Sequence, residues 1–120
     1  MEKIILAAAS FYIKSYYYNF EEFISMPIAV QNELRILLTQ TCENTRGIVV
    51  FGFYSDGSVF LESIGDESDL NYDEIGAKYH INLVVKKEEE FFKSLSIWFL
   101  TTMTKEGRKI KDEFMHFDEN

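Results

Sequence analysis

The sequence predicts an α+β domain, an antiparallel sheet of about five strands with two main helices packed on one of its faces, and three observations predict it. Apolar runs at residues 3–9 and 48–53 read as strands. An Asp56-Gly57 pair, of the kind that readily supplies positive φ in tight hairpin turns, separates residues 48–53 from a second apolar run at 59–62. Two longer stretches, residues 27–43 and 87–103, repeat their apolar residues at helical spacing. The expected order is β-β-α-β-β-(short α)-β-α, a two-layer sandwich.

Taken in order, residues 3–9 read as a buried strand and residues 11–18 as a second extended segment, joined by a hairpin near Ser10. In the second segment Phe11, Ile13 and Tyr17 alternate with Tyr12, Lys14, Tyr16 and Tyr18. Ser25-Met26-Pro27 looks like a helix start, because proline is tolerated in the first turn, where its missing N–H has no intrahelical partner. Val30, Leu34, Leu37, Leu38 and Thr41 then fall on one stripe, which defines the buried face of a helix ending near Glu43. Arg46-Gly47 breaks the pattern, and the hairpin centred on Ser55-Asp56-Gly57-Ser58 follows. Residues 65–72 read as an acidic loop, residues 72–75 as a single helical turn ended by Gly76, and residues 79–85 as a further strand. The last helix carries Phe91, Phe92, Leu95, Trp98, Phe99 and Thr102 on one face, with glutamates in its first turn complementing the helix dipole. From about residue 105 the chain is charged and expected to fray.

The 120 residues fit one domain, and a 47% hydrophobic fraction is too rich for a disordered chain. With Cys42 alone, neither an internal disulfide nor a cysteine-based zinc site is available, which suits a reducing compartment and points to the cytoplasm. The N-terminal apolar run is too short for a secretory signal, and no segment approaches membrane-spanning length. A formal net charge of −8 disfavours nucleic acid and anionic membranes and favours a basic or neutral partner. The charge is uneven: no basic residue lies between Arg46 and Lys78, where Asp56, Glu62, Asp66, Glu67, Asp69, Asp73 and Glu74 all fall.

The residues that carry chemistry are sparse. His80 and His116 lie in no catalytic motif, and Cys42 sits beside the buried stripe of the first long helix as a structural thiol. Asp69-x-Asn71-x-Asp73 has the alternation of a calcium loop but carries Glu74 and His80 where that loop needs glycine and a bidentate glutamate, so no metal is expected. The glycines are scattered singly, without a phosphate-binding spacing, and no cofactor is expected. Tyr16 and Tyr18 share one strand face and Tyr17 the other, so at least one tyrosine should meet solvent, where tyrosine is enriched in binding surfaces. Ile97 and Leu100 point away from the main stripe of the last helix. That second apolar patch suits an isologous homodimer, through this helix or an exposed sheet edge, unless Phe114 and Phe117 of the same chain cover it. The cluster Lys105, Arg108, Lys109 and Lys111 is favourable charge at a helix carboxyl end and would also suit the acidic loop of a neighbour.

The apolar first strand, Tyr16-Tyr17 with Asn19, Pro27 followed by Glu33-Leu34, Gly47-Ile48 opening a strand, and Asp73-Glu74-Ile75-Gly76 together span residues 3 to about 100. In these features the chain resembles a small family of uncharacterised, mostly Gram-positive bacterial proteins, a domain of unknown function. It departs from that pattern at Arg46, where the family often has a second glycine, and at Ala7, where it often has a cysteine. The resemblance implies a stand-alone domain and lends no catalytic residue. The function expected from the residues is therefore a non-enzymatic interaction or regulatory role through an acidic face (Asp66, Glu67, Asp69, Asp73, Glu74), joined by Tyr16 or Tyr18. The alternative is a small-ligand sensor with an aromatic-lined pocket between sheet and helices.

Overall fold

A computed structural model describes residues 2–102, and the C-terminal basic cluster, His116, Phe114 and Phe117 lie outside the described residues. The chain runs β1 (Lys3–Ser10), β2 (Ser15–Tyr18), α1 (Phe20–Ile24), α2 (Ile28–Thr45), β3 (Ile48–Tyr54), β4 (Val59–Ile64), α3 (Glu74–Lys87) and α4 (Glu89–Thr102). The strands form one antiparallel sheet in the order β2-β1-β3-β4.

Alternation along the strands sorts the sheet into two faces. Val49, Phe51 and Phe53 of β3 line up with Ala9, Ala7 and Ile4 of β1 and with Ser63, Leu61 and Val59 of β4. This row faces the helices. A bulge between Ile5 and Ala7 turns Leu6 inward as well, where it is almost wholly buried. Leu34 and Leu38 of α2, Ile81 of α3, and Phe92, Leu95 and Phe99 of α4 complete a single core. Its centre is aromatic: Phe53 stacks on Phe99 with centroids 4.5 Å apart, and Phe51 lies 5.5 Å from Phe92.

The Asp-Gly hairpin forms as expected, with Gly57 at φ 92° and the Asp56 carboxylate accepting from the N–H and hydroxyl of Ser58. Helix α2 begins one residue after Pro27, whose carbonyl accepts from the N–H groups of Val30 and Gln31. The buried Gln31 amide donates to the Met26 carbonyl at 2.8 Å and to the Ile24 carbonyl at 3.2 Å, stitching the short α1 to α2.

Three expectations are corrected. The sheet has four strands, because residues 79–85 belong to α3 and form no strand. The Asp73 carboxylate accepts from the Gly76 N–H at 2.9 Å, so Asp73 caps a helix that starts at Glu74, and Gly76 lies inside its first turn. Ala77, Ile81 and Val84, spaced at four and three residues, then pack inward. The order is accordingly β-β-α-α-β-β-α-α, with three long helices. Only residues 15–18 of the segment 11–18 are strand. Residues 11–14 make the turn, closed by Lys14 at φ 50°.

Arg46 ends α2 in the left-handed conformation, φ 58° and ψ 34°, its N–H donating to the Cys42 carbonyl at 2.8 Å. That backbone costs an L-residue roughly 1–2 kcal/mol, whereas glycine adopts it freely and loses about 0.4–1 kcal/mol through the entropy of its unfolded chain. Arg46→Gly should therefore raise stability by about 0.5–1 kcal/mol, a gain of a few degrees in Tm by calorimetry. A lower Tm would show that the arginine side chain offsets its own strain.

Candidate interaction surface

The acidic residues are not equivalent. Asp66 accepts from the N–H and hydroxyl of Ser68, which holds its carboxyl below the ordinary carboxylate range, Asp69 accepts from the Asn71 N–H, and Asp73 caps α3. The loop is also fixed from outside. The Tyr12 hydroxyl, in the β1–β2 turn, donates to Asp69 Oδ2 at 3.0 Å and accepts from the Asp66 N–H at 3.0 Å. At the other end the Tyr72 hydroxyl and Ser63 Oγ share a hydrogen bond of 2.7 Å, with the Tyr72 ring against Gly65. Glu67 and Glu74 are exposed and, among the described residues, form no side-chain hydrogen bond or ion pair. Three aspartates thus shape the loop while two glutamates face outward.

Large apolar side chains stand among these acids. Leu70 is 95% exposed and Ile75 85%, and Tyr79 and Leu83 continue the Ile75 stripe along the outer side of α3 at four-residue spacing. The stripe leads into a groove of about 260 Å³ between α2 and α3, lined by Ile36, Leu37, His80, Leu83 and Val84. Assigning residues 79–85 to a strand hides the alignment of Tyr79 and Leu83 with Ile75.

A second groove, of about 330 Å³, lies where the start of α2 meets α4, with Met26, Pro27, Val30, Phe91, Leu95 and Trp98 in its walls. It lies between helices, whereas the expected aromatic pocket lay between sheet and helices. Ile97 and Leu100 are both exposed on α4, and the Leu100 methyls reach the hairpin at Gly57.

Of the tyrosine run, Tyr16 and Tyr18 turn inward, opposite Ala9 and Ala7, and both rings pack on Phe23. The tyrosine of the run that stands furthest in water is Tyr17, 60% exposed, whereas Tyr16 and Tyr18 are half-buried. Cys42 is buried, its thiol pushed up by that burial and directed at the Gly47 carbonyl. No group of three or more His, Cys, Asp or Glu able to hold a metal occurs among the described residues. No helix among them is long and apolar enough to cross a membrane.

Fold and surface together define a small domain with four antiparallel strands beneath four helices. The chain belongs to a family of unknown function, DUF6145, whose model matches residues 3–107. No curated protein and no solved structure matches it. Glycine is the residue that the left-handed end of α2, where Arg46 stands, favours.

Burial pushes the Tyr16 phenol up to about 12, with the Arg35 guanidinium, 5.5 Å from its ring centroid, pulling the other way. Because the folded state holds this proton more tightly than the unfolded chain does, Tyr16 makes stability fall as pH rises from about 10 towards 12. Denaturant midpoints across that range should decline less steeply in Tyr16→Phe. Equal slopes in the two proteins would place the late titration elsewhere.

Proposed function

We propose that this protein is a non-enzymatic interaction or regulatory domain whose acid-rimmed apolar stripe, Leu70, Ile75 and Tyr79 flanked by Glu67 and Glu74, receives a basic amphipathic segment of another protein. The observation that carries this reading is the near-complete exposure of Leu70 and Ile75 beside acids on a pinned loop. Apolar side chains in water favour an apolar contact, and the surrounding carboxylates select against acidic partners. The tie through Tyr12 favours binding because little loop entropy is left to lose.

The test titrates the labelled protein with a synthetic Lys/Leu amphipathic helix and follows backbone resonances. Shifts should concentrate on residues 66–83. Affinity should fall about tenfold in the double variant Glu67→Gln/Glu74→Gln and weaken with salt, and Tyr12→Phe should weaken it with the fold intact. Shifts spread evenly over the acidic surface, unchanged by these substitutions, would remove the proposal.

The groove between α2 and α4 favours a second reading, a small-ligand sensor, since its volume reaches the lower end of ligand pockets and Phe91 and Trp98 line it. Trp98 is the single tryptophan, so its emission reports on this groove alone. A neutral naphthylamine dye bound there should quench it, and Val30→Trp should block both dye and quenching. Trp98 emission indifferent to the dye excludes the groove.

A further inference from the structure

The sheet has a second face, and among the described residues the helices build the core on the opposite one. Tyr17 of β2, Ile5 and Ala8 of β1, Ile48, Val50, Gly52 and Tyr54 of β3, and Phe60 and Ile64 of β4 alternate away from the core, while the helices supply that core from the other side. An antiparallel sheet wetted on one face ordinarily alternates apolar-in with polar-out. Strand β3 does not: its outward positions are Ile, Val, Gly and Tyr, the composition of a strand covered on both sides. The Phe60 ring lies over Gly52, where a Cβ would collide with it, and is buried although it stands outside the main core. Tyr17, Ile5 and Ile64 remain exposed on the same face.

We propose that a second copy of this chain covers this face, sheet against sheet. The argument rests on charge. The charged side chains that the strand pairing places on the face are Lys3 and Glu62, and they pair with each other, so the face is neutral on a chain of net charge −8. Two copies repel wherever acidic surface meets acidic surface, and this face avoids that penalty. A basic partner, drawn by the acids elsewhere, gains nothing here. A neutral, flat, apolar surface of matching size is what another copy presents, and a two-fold axis through the face makes the contact isologous. Strands of 8, 4, 7 and 6 residues give a flat footprint of roughly 400 Å², below the ~800 Å² each partner buries in a standard stable interface. The association that this area fits is reversible.

Sedimentation equilibrium on the full chain, from low micromolar to millimolar concentration, tests the proposal. Wild type should show a monomer–dimer equilibrium that strengthens with salt, because salt screens the repulsion between copies. Tyr17→Lys and Ile5→Lys should each weaken it about tenfold or more, while Ile97→Glu and Leu100→Glu leave it unchanged. Tyr17 is exposed on an edge strand, so its variant tests the face even if Ile5→Lys fails to fold. Three results overturn the proposal: a monomer at every concentration; a dimer that persists in Tyr17→Lys and dissociates in Leu100→Glu, which puts the interface on α4; or a dimer that weakens with salt, which points to basic residues docking on the acidic loop.

Discussion

Strand β3 is the element on which the rest of the domain depends, because it pairs with β1 on one side and β4 on the other and carries the core aromatics Phe51 and Phe53. Those two rings meet Phe92 and Phe99, fixing α4 over the sheet, while Leu61 from β4 and Ala7 from β1 flank Phe51 in the same row. The partners on β1 are small, Ala7 and Ala9, and that leaves room for Tyr16 and Tyr18 to reach inward and pack on Phe23. Large rings at the centre therefore require small residues beside them, and the tyrosines fill what the alanines vacate. A core built this way loses several contacts at once if either phenylalanine is truncated.

One hairpin and two helices were legible in the sequence. The turn at Asp56-Gly57 is local chemistry, and the stripes of α2 and α4 repeat over four or more turns, so neither depends on distant residues. Helix α3 was not legible because it carries two apolar stripes. Ala77, Ile81 and Val84 face the core, but Ile75, Tyr79, Leu83 and Val85 lie on its exposed side, and the mixture erases the helical period and imitates a strand. The residues that hid the helix are the ones a binding surface would use.

Much of the surface was hidden for another reason. The hydroxyl of Tyr12 meets residues 54 and 57 positions away, and nothing in local spacing announces such a tie. The acidic composition of residues 62–74 was plain, but which carboxylates shape the loop and which face outward depends on hydrogen bonds to Ser68, Asn71 and Gly76. Alternation correctly separated Tyr17 from Tyr16 and Tyr18. The direction of that separation follows from the pairing of Ala9 with Tyr16 and Ala7 with Tyr18, which only the assembled sheet supplies.

The distribution of charge then gives the two exposed apolar surfaces different physical characters. Around Leu70 and Ile75, Glu67 and Glu74, which form no ion pair among the described residues, favour cations over another copy of the acidic chain. On the outer face of the sheet the Lys3–Glu62 pair cancels its own charge, and the Lys3 ammonium stands 5.1 Å from the Phe60 ring centroid. Covering that face leaves no net charge behind, so the cost of bringing like charges of two copies together is avoided there, while the pair itself still carries a desolvation penalty. Removing either member of the pair would restore a net charge to the surface and reinstate the cost. The pairing across β1 and β4 thus keeps this face without net charge, whereas the other exposed apolar stripe starts beside the exposed Glu67 and Glu74.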